Sequence, residues 1–344
     1  MRRIVVLILA LWCICLQAGP LPADPAESPE DYFTRGFTLV LDQDFPQARS
    51  MFEYALKLNR DFIPARLALD AVKDVINQQL TAQAGADLVK GIDYAHQAAW
   101  EEALQEFDRV ARAQPRYARV YALRGNVYVL KGDAKQAITE YNRALEINPS
   151  SAGTYNDRGI TYATLGEFDL ATADLDRALR IDPTYKMAYL NRAHAYVRMG
   201  RFDDAIADYG RALEIDPELS EAYLNRGDLL FSQKSRYAEA ISDFSRVIEL
   251  SPKNADAYYN RGLVHAASGN YESALNDFTM TMVLNPADPE AYFAKAAMCE
   301  QTGDKQTAVE TYKKIVQFFA ADQPDAARKA QERLFLLDRQ GEGR

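Results

Sequence analysis

Four polar side chains recur at a near-constant interval: Asp157, Asn191, Asn225 and Asn260 follow one another by 34, 34 and 35 residues. A carboxamide is both donor and acceptor, so a regular row of them can pair with the backbone of an extended peptide whatever its side chains. One place earlier stand Leu190, Leu224 and Tyr259, and Phe293 holds that place in the next interval. One place later run Arg124, Arg158, Arg192, Arg226 and Arg261, each followed 16 or 17 residues on by Glu140, Asp174, Asp208, Asp243 or Asp277. That second pattern reads as a ladder of arginine and carboxylate pairs between helices; a ligand-binding arginine stripe is the other reading. No zinc-protease pair of histidines, no phosphate-cradling glycine loop before a strand and no cluster of cysteines occurs, so neither catalysis nor a cofactor or metal is expected. His96, His194 and His265 occupy unrelated places in the interval. His265 and Cys299 share one place, and read as a satisfied core histidine and an inert buried thiol.

The elements that position these rows are written in the same period. Prolines 115, 149, 183, 217, 252 and 286 step at intervals of 34 or 35 residues, and eight copies align: 29–62, 84–117, 118–151, 152–185, 186–219, 220–254, 255–288 and 289–322. An aromatic holds the fourth place in seven of them, with Asp87 the exception. Glycine or alanine holds the eighth place, where a second helix can approach closely. Alanine holds the twentieth place in all eight, and a large apolar residue from Phe52 to Tyr312 lies four places beyond it, on the same helical face. Each copy therefore predicts two short amphipathic helices, with turns marked by Gly132, Gly166, Gly200, Gly269 and Gly303. Such units cannot bury their own apolar faces and must stack.

Aromatic, small residue, alanine, aromatic and proline at these spacings over 29–322 resemble the tetratricopeptide repeat family. The resemblance implies an all-α fold: a right-handed α-α superhelix of about eight helical hairpins, a solenoid whose concave face holds a peptide or a partner helix. It also implies that the second, fifth, sixth, ninth and twelfth places of each first helix look into that face. Asp157, Asn191, Asn225 and Asn260 then form a short ladder similar to the asparagine ladder of the O-linked N-acetylglucosamine transferase. Leu190, Leu224, Tyr259 and Phe293 supply apolar contacts, and Glu221, Asp228, Asp256, Glu290 and Glu300 supply negative charge. The expected occupant is an extended segment with apolar and basic residues. The family's clamp for chaperone C-terminal carboxylates does not transfer, because Asp157 and Asp256 stand where it needs other groups. A second, more apolar inner surface is expected from Phe33, Phe37, Leu88 and Ile92, as a further site or a homo-oligomer contact.

Residues 63–83 interrupt the array, and Leu67, Ala68, Ala71, Val72, Val75, Ile76 and Leu80 predict an inserted helix that covers or narrows the groove. Residues 323–344 are expected to form a capping helix and tail, with Ala326, Ala327, Ala330, Leu334 and Leu337 on one side. Arg2 and Arg3 before the apolar run Ile4 to Leu16 describe an export signal over 1–18, with an uncleaved membrane anchor as the alternative, and 19–28 read as a linker. A net charge of −9 disfavours nucleic acid and anionic membrane as partners. The sequence thus predicts a non-enzymatic, secreted or periplasmic scaffold that binds a protein partner. The alternative is an accessory subunit tethering a cell-envelope hydrolase or glycan-processing enzyme.

Overall fold

A computed structural model describes residues 28–342, and the described residues hold helices and connecting turns with no strand. The export signal at 1–18 and almost all of the 19–28 linker lie outside them; Ser28 begins the first helix as its N-cap, accepting from the Asp31 amide. The chain divides into two compact units at Gly166.

The first unit runs α1 (Pro29–Leu41), α2 (Phe45–Leu58), α3 (Ile63–Ile76), α4 (Ala82–His96), α5 (Trp100–Ala113), α6 (Ala118–Leu130), α7 (Ala134–Ile147) and α8 (Ala152–Thr164). Hairpins α1–α2, α4–α5 and α6–α7 are held tight at the eighth place. A Cβ on Gly36, Gly91 or Gly125 would lie 2.4–2.6 Å from the ring of Phe52, Phe107 or Tyr141. The first helix of a hairpin closes in one way throughout: Gly132, at φ 82°, donates to Val129 while Asp133 donates to Tyr128. Gln43 and Ala98 take the same left-handed place at φ 59°.

The inserted helix is α3. It ends as the first helix of a hairpin does, with Gln78 at φ 61° donating to Val75 and Gln79 donating to Asp74. The next helix, α4, packs closely on α3 through Gly85, whose Cβ would meet Val75 Cγ2 at 2.3 Å, and on α5 through Gly91. It therefore serves two neighbours, and Asp87, where the other copies carry an aromatic, is buried and accepts from Gln83 on the same helix at 2.8 Å. Tyr117 Oη donates to Asp74, and Arg119 pairs with Asp70 at 2.9 Å, tying α3 to the start of α6. Two residues of the predicted stripe fall elsewhere: Ile76 is exposed at the helix end, and Leu80 is buried from the following turn.

The second unit runs α9 (Phe168–Ile181), α10 (Lys186–Arg198), α11 (Phe202–Ile215), α12 (Ser220–Ser232), α13 (Tyr237–Leu250), α14 (Ala255–Ala267), α15 (Tyr271–Leu284), α16 (Pro289–Thr302), α17 (Lys305–Phe319) and α18 (Pro324–Glu342). Its hairpins carry the arginine ladder as forks. Arg192 grips both Asp208 oxygens at 2.7 Å and also Asp176 on α9; Arg226 grips Asp243 at 2.7 and 2.8 Å. Arg261 grips Asp277 at 2.8 and 2.9 Å and reaches Ser245 on α13. Each guanidinium lies 5.5–5.7 Å from the ring of Tyr189, Tyr223 or Tyr258 three residues earlier, so the fourth-place aromatics act partly as platforms for the arginines. In the first unit Arg124 reaches Glu140 at 3.1 Å and Asp108 at 3.4 Å without a fork, its Nε buried and unpaired. α18 covers α17 with Ala327, Ala330 and Leu337 buried, as the capping pattern predicts.

Candidate functional sites

In the first unit, a groove of about 620 Å³ crosses α4, α6 and α8, with the start of α3 as one wall. Phe62 ends the first copy, Ile63, Pro64 and Leu67 come from the inserted segment, Ile92 and His96 from α4, Leu123, Val127 and Leu130 from α6, and Ile160 from α8. Leu130 is 61% exposed, Ile63 62%, Val129 41% and Ile160 39%, so four exposed apolar side chains share one groove rather than being scattered singly. The apolar inner surface expected from Phe33, Phe37, Leu88 and Ile92 is not open. Phe33, Leu88 and Ile92 are buried in the core and Phe37 packs against it; only Ile92 reaches the groove. Helical phase alone does not separate the stripe facing a partner helix from the stripe beside it.

Asp157 lines this groove too, with Asn126 and Thr161. Tyr141 Oη donates to Asn126 Oδ1 at 2.6 Å, and Asn126 and Asn156 both support the Asp157 carboxylate, Asn156 at 3.2 Å. Burial pushes Asp157 up to about 6, against the pull of those two amides. The adjacent arginine does not neutralise it, because Arg158 turns to Asn142 and lies 5.5 Å from the Tyr155 ring.

In the second unit the carboxamide row links neighbouring repeats. Asn225 Nδ2 meets His194 Nε2 at 3.1 Å, and Asn260 Nδ2 donates to Asp228 Oδ1 at 3.1 Å. Each therefore bonds the ninth place of the repeat before it, as Asp157 does with Asn126. Asn191 is half-buried and also engaged. The scaffold thus engages the Asn225 and Asn260 carboxamides through one bond each and fixes their orientation. Burial lowers the pKa of His194, while Glu221, at 3.8 Å, pulls it the other way.

The apolar partners of that row divide. Leu190 is 1% exposed and closed among Ala193, Tyr209 and Leu213, so it offers no surface to a ligand. Leu224 is half-buried against the α12–α13 core, Tyr259 packs on Phe278 and Phe293 packs on Tyr312, each keeping part of its surface. Glu221, Asp256 and Glu290 are exposed. Glu300 is withdrawn from the groove, since it accepts from Tyr312 at 2.7 Å and from Arg333 on α18.

Other expected chemistry is sparse. No group of three or more metal-ligating side chains occurs among the described residues, and none of their helices is long and apolar enough to cross a membrane. Cys299 is buried, which raises its pKa and keeps it a thiol. His265 differs from expectation: its Nδ1 is buried without a hydrogen-bond partner, and its Nε2 stands 3.9 Å from Asp277.

Comparison with known proteins agrees with this architecture. Models described as tetratricopeptide repeat match residues 152–185, 190–255, 233–280 and 259–327, and one described as TPR repeat matches 125–166, together more than half of the 344 residues. Among solved structures the chain is similar to PilW, a type IV pilus biogenesis factor, with 21% identity, 60% of this chain and 96% of that one covered, and a TM-score of 0.52. It is also similar to pilF of Pseudomonas aeruginosa, with 19% identity, coverage of 63% and 97%, and a TM-score of 0.50. A third is YrrB, described as a TPR protein with an unusual peptide-binding site, with 26% identity, coverage of 55% and 97%, and a TM-score of 0.49. The first two likenesses establish the fold alone. No curated protein matches the chain by sequence.

Proposed function

We propose that this chain, a member of the tetratricopeptide repeat family, is a non-enzymatic exported scaffold that holds an extended segment of a partner protein against the first helices of its hairpins. The family's repeats serve protein–protein interaction, and the observation that carries the reading here is the open apolar groove of the first unit. Leu130 and Ile160 stay uncovered there although nearby α4 and α6 bury most of their large apolar side chains. An interface needs such a desolvated centre with a polar rim, and Asp61, Asn126 and Asp157 supply the rim. The carboxamide row of the second unit supports the same role, with Asn225 and Asn260 held at fixed orientation by His194 and Asp228. Export rests on the sequence of residues 1–18, and an uncleaved anchor there would leave the scaffold facing the same compartment.

The test is affinity capture from the exported fraction with the wild-type chain, with Leu130→Ser plus Ile160→Ser, and with Asn191, Asn225 and Asn260 changed to alanine. Leu130 and Ile160 are exposed, so the double variant should keep its thermal midpoint. A specific partner lost about tenfold with the double variant, and further weakened by the triple one, is expected. Retention of every captured protein by both variants would refute the groove reading.

A further inference from the structure

Chemistry along the first-unit groove narrows its occupant, an argument that rests on the groove reading above. Its lining is largely apolar, built by Phe62, Leu67, Val127, Leu130 and Ile160. The acids that line it are Asp61, which is exposed, and Asp157, which is half-buried; neither lysine nor arginine is among its lining residues. The two side chains supporting Asp157, Asn126 and Asn156, are neutral carboxamides, and the adjacent Arg158 bonds Asn142. Asn126 is fixed in that role because its own acceptor is taken by Tyr141. A carboxylate beside an apolar cleft, supported by neutral donors, is best completed by a cation arriving from the cleft. His96, the histidine in the lining, packs edge-on against Phe62 at 5.7 Å.

We infer that this groove recognises a partner segment presenting a bulky apolar side chain with a lysine or arginine beside it, the cationic group meeting the Asp157 carboxylate. The chain's net charge of −9 favours the encounter at long range, and Asp157 gives it register at short range.

Three small probes of one length separate the apolar and ionic parts: n-octylammonium, n-octanol and octanoate, titrated calorimetrically into the full chain at neutral pH. The expected order is octylammonium about tenfold tighter than octanol, with octanoate weakest. In Asp157→Asn, octylammonium falls to the octanol level while octanol is unchanged; that tenfold loss is about 1.4 kcal/mol. Equal binding of octylammonium and octanol by the wild-type chain overturns the inference and leaves the groove reading standing, as does a cation preference that survives Asp157→Asn. If octanol does not bind, or binds Leu130→Ser plus Ile160→Ser as well as wild type, the groove reading falls and the inference falls with it.

Discussion

A carboxylate pushed up to about 6 by burial, as Asp157 is, favours its neutral form in the folded chain more than in the unfolded one. The sign follows from linkage: this raised folded value contributes stability in full below about 3.9, and that contribution is lost as pH rises through about 6. Asp157→Asn is therefore expected to remove a decline on the order of 2 kcal/mol from the wild-type profile between those limits. Denaturant unfolding of both chains from pH 4 to 7 checks it, and parallel profiles would show that the ionised group carries no such cost. The ladder arginines act in the opposite sense. Asp243 is 4% exposed and its two oxygens are gripped by Arg226, so Arg226→Ala leaves an uncompensated buried carboxylate and should cost about 3–5 kcal/mol. Arg226→Lys should rescue little, because an ammonium cannot reproduce the fork, whereas Arg226→Met with Asp243→Leu should recover most of the loss. Spacing alone makes the pairs of Arg124, Arg192, Arg226 and Arg261 legible, since a residue on a first helix and one 16 or 17 later face each other across those hairpins, whereas Arg158 reaches Asn142. The burial of Leu190 is not legible in that way, because the fifth place borders both the groove and the core, and the neighbouring side chains decide which way it turns.

Among the elements, α3 has the largest consequence for the site. A helix there is readable from a continuous apolar stripe, and Ile63, Pro64 and Leu67 from its start line the groove. What the pattern did not carry was its docking, which depends on Gly85 admitting Val75 and on a polar anchor formed by residues far apart in sequence. Tyr117 and Asp74 are 43 residues apart, and no periodicity links them. Tyr117→Phe with Asp74→Ala should therefore release α3 locally at a cost of about 1–3 kcal/mol. Hydrogen exchange is the direct check: protection of amides in 63–76 should fall by about tenfold or more while α6 and α7 keep theirs. Unchanged protection of α3 would mean that apolar packing through Ala68, Leu69 and Val72 holds it without the anchor.

At the scale of the whole chain, stability is a sum over neighbours, because each hairpin buries its apolar faces against the helices adjoining it. An end unit then depends on whatever closes it. In the second unit that closure is α18, whose Ala330 and Leu337 share a core with Tyr292, Tyr312, Ile315 and Phe319, and whose Arg333 reaches back to Glu300. Deleting 323–344 uncovers this cluster and releases Glu300 from its ion pair, a loss on the order of 3 kcal/mol or more from apolar exposure alone. The nearest-neighbour account confines the damage. Exchange should rise strongly in α16 and α17, less in α14 and α15, and not at all in α4 to α7, which belong to the other compact unit. The groove of the first unit should accordingly keep its affinity for n-octanol in the truncated chain. A uniform loss of protection from α4 to α17 would show instead that the chain unfolds as one cooperative block, and the local effects expected for α3 would then spread along the chain.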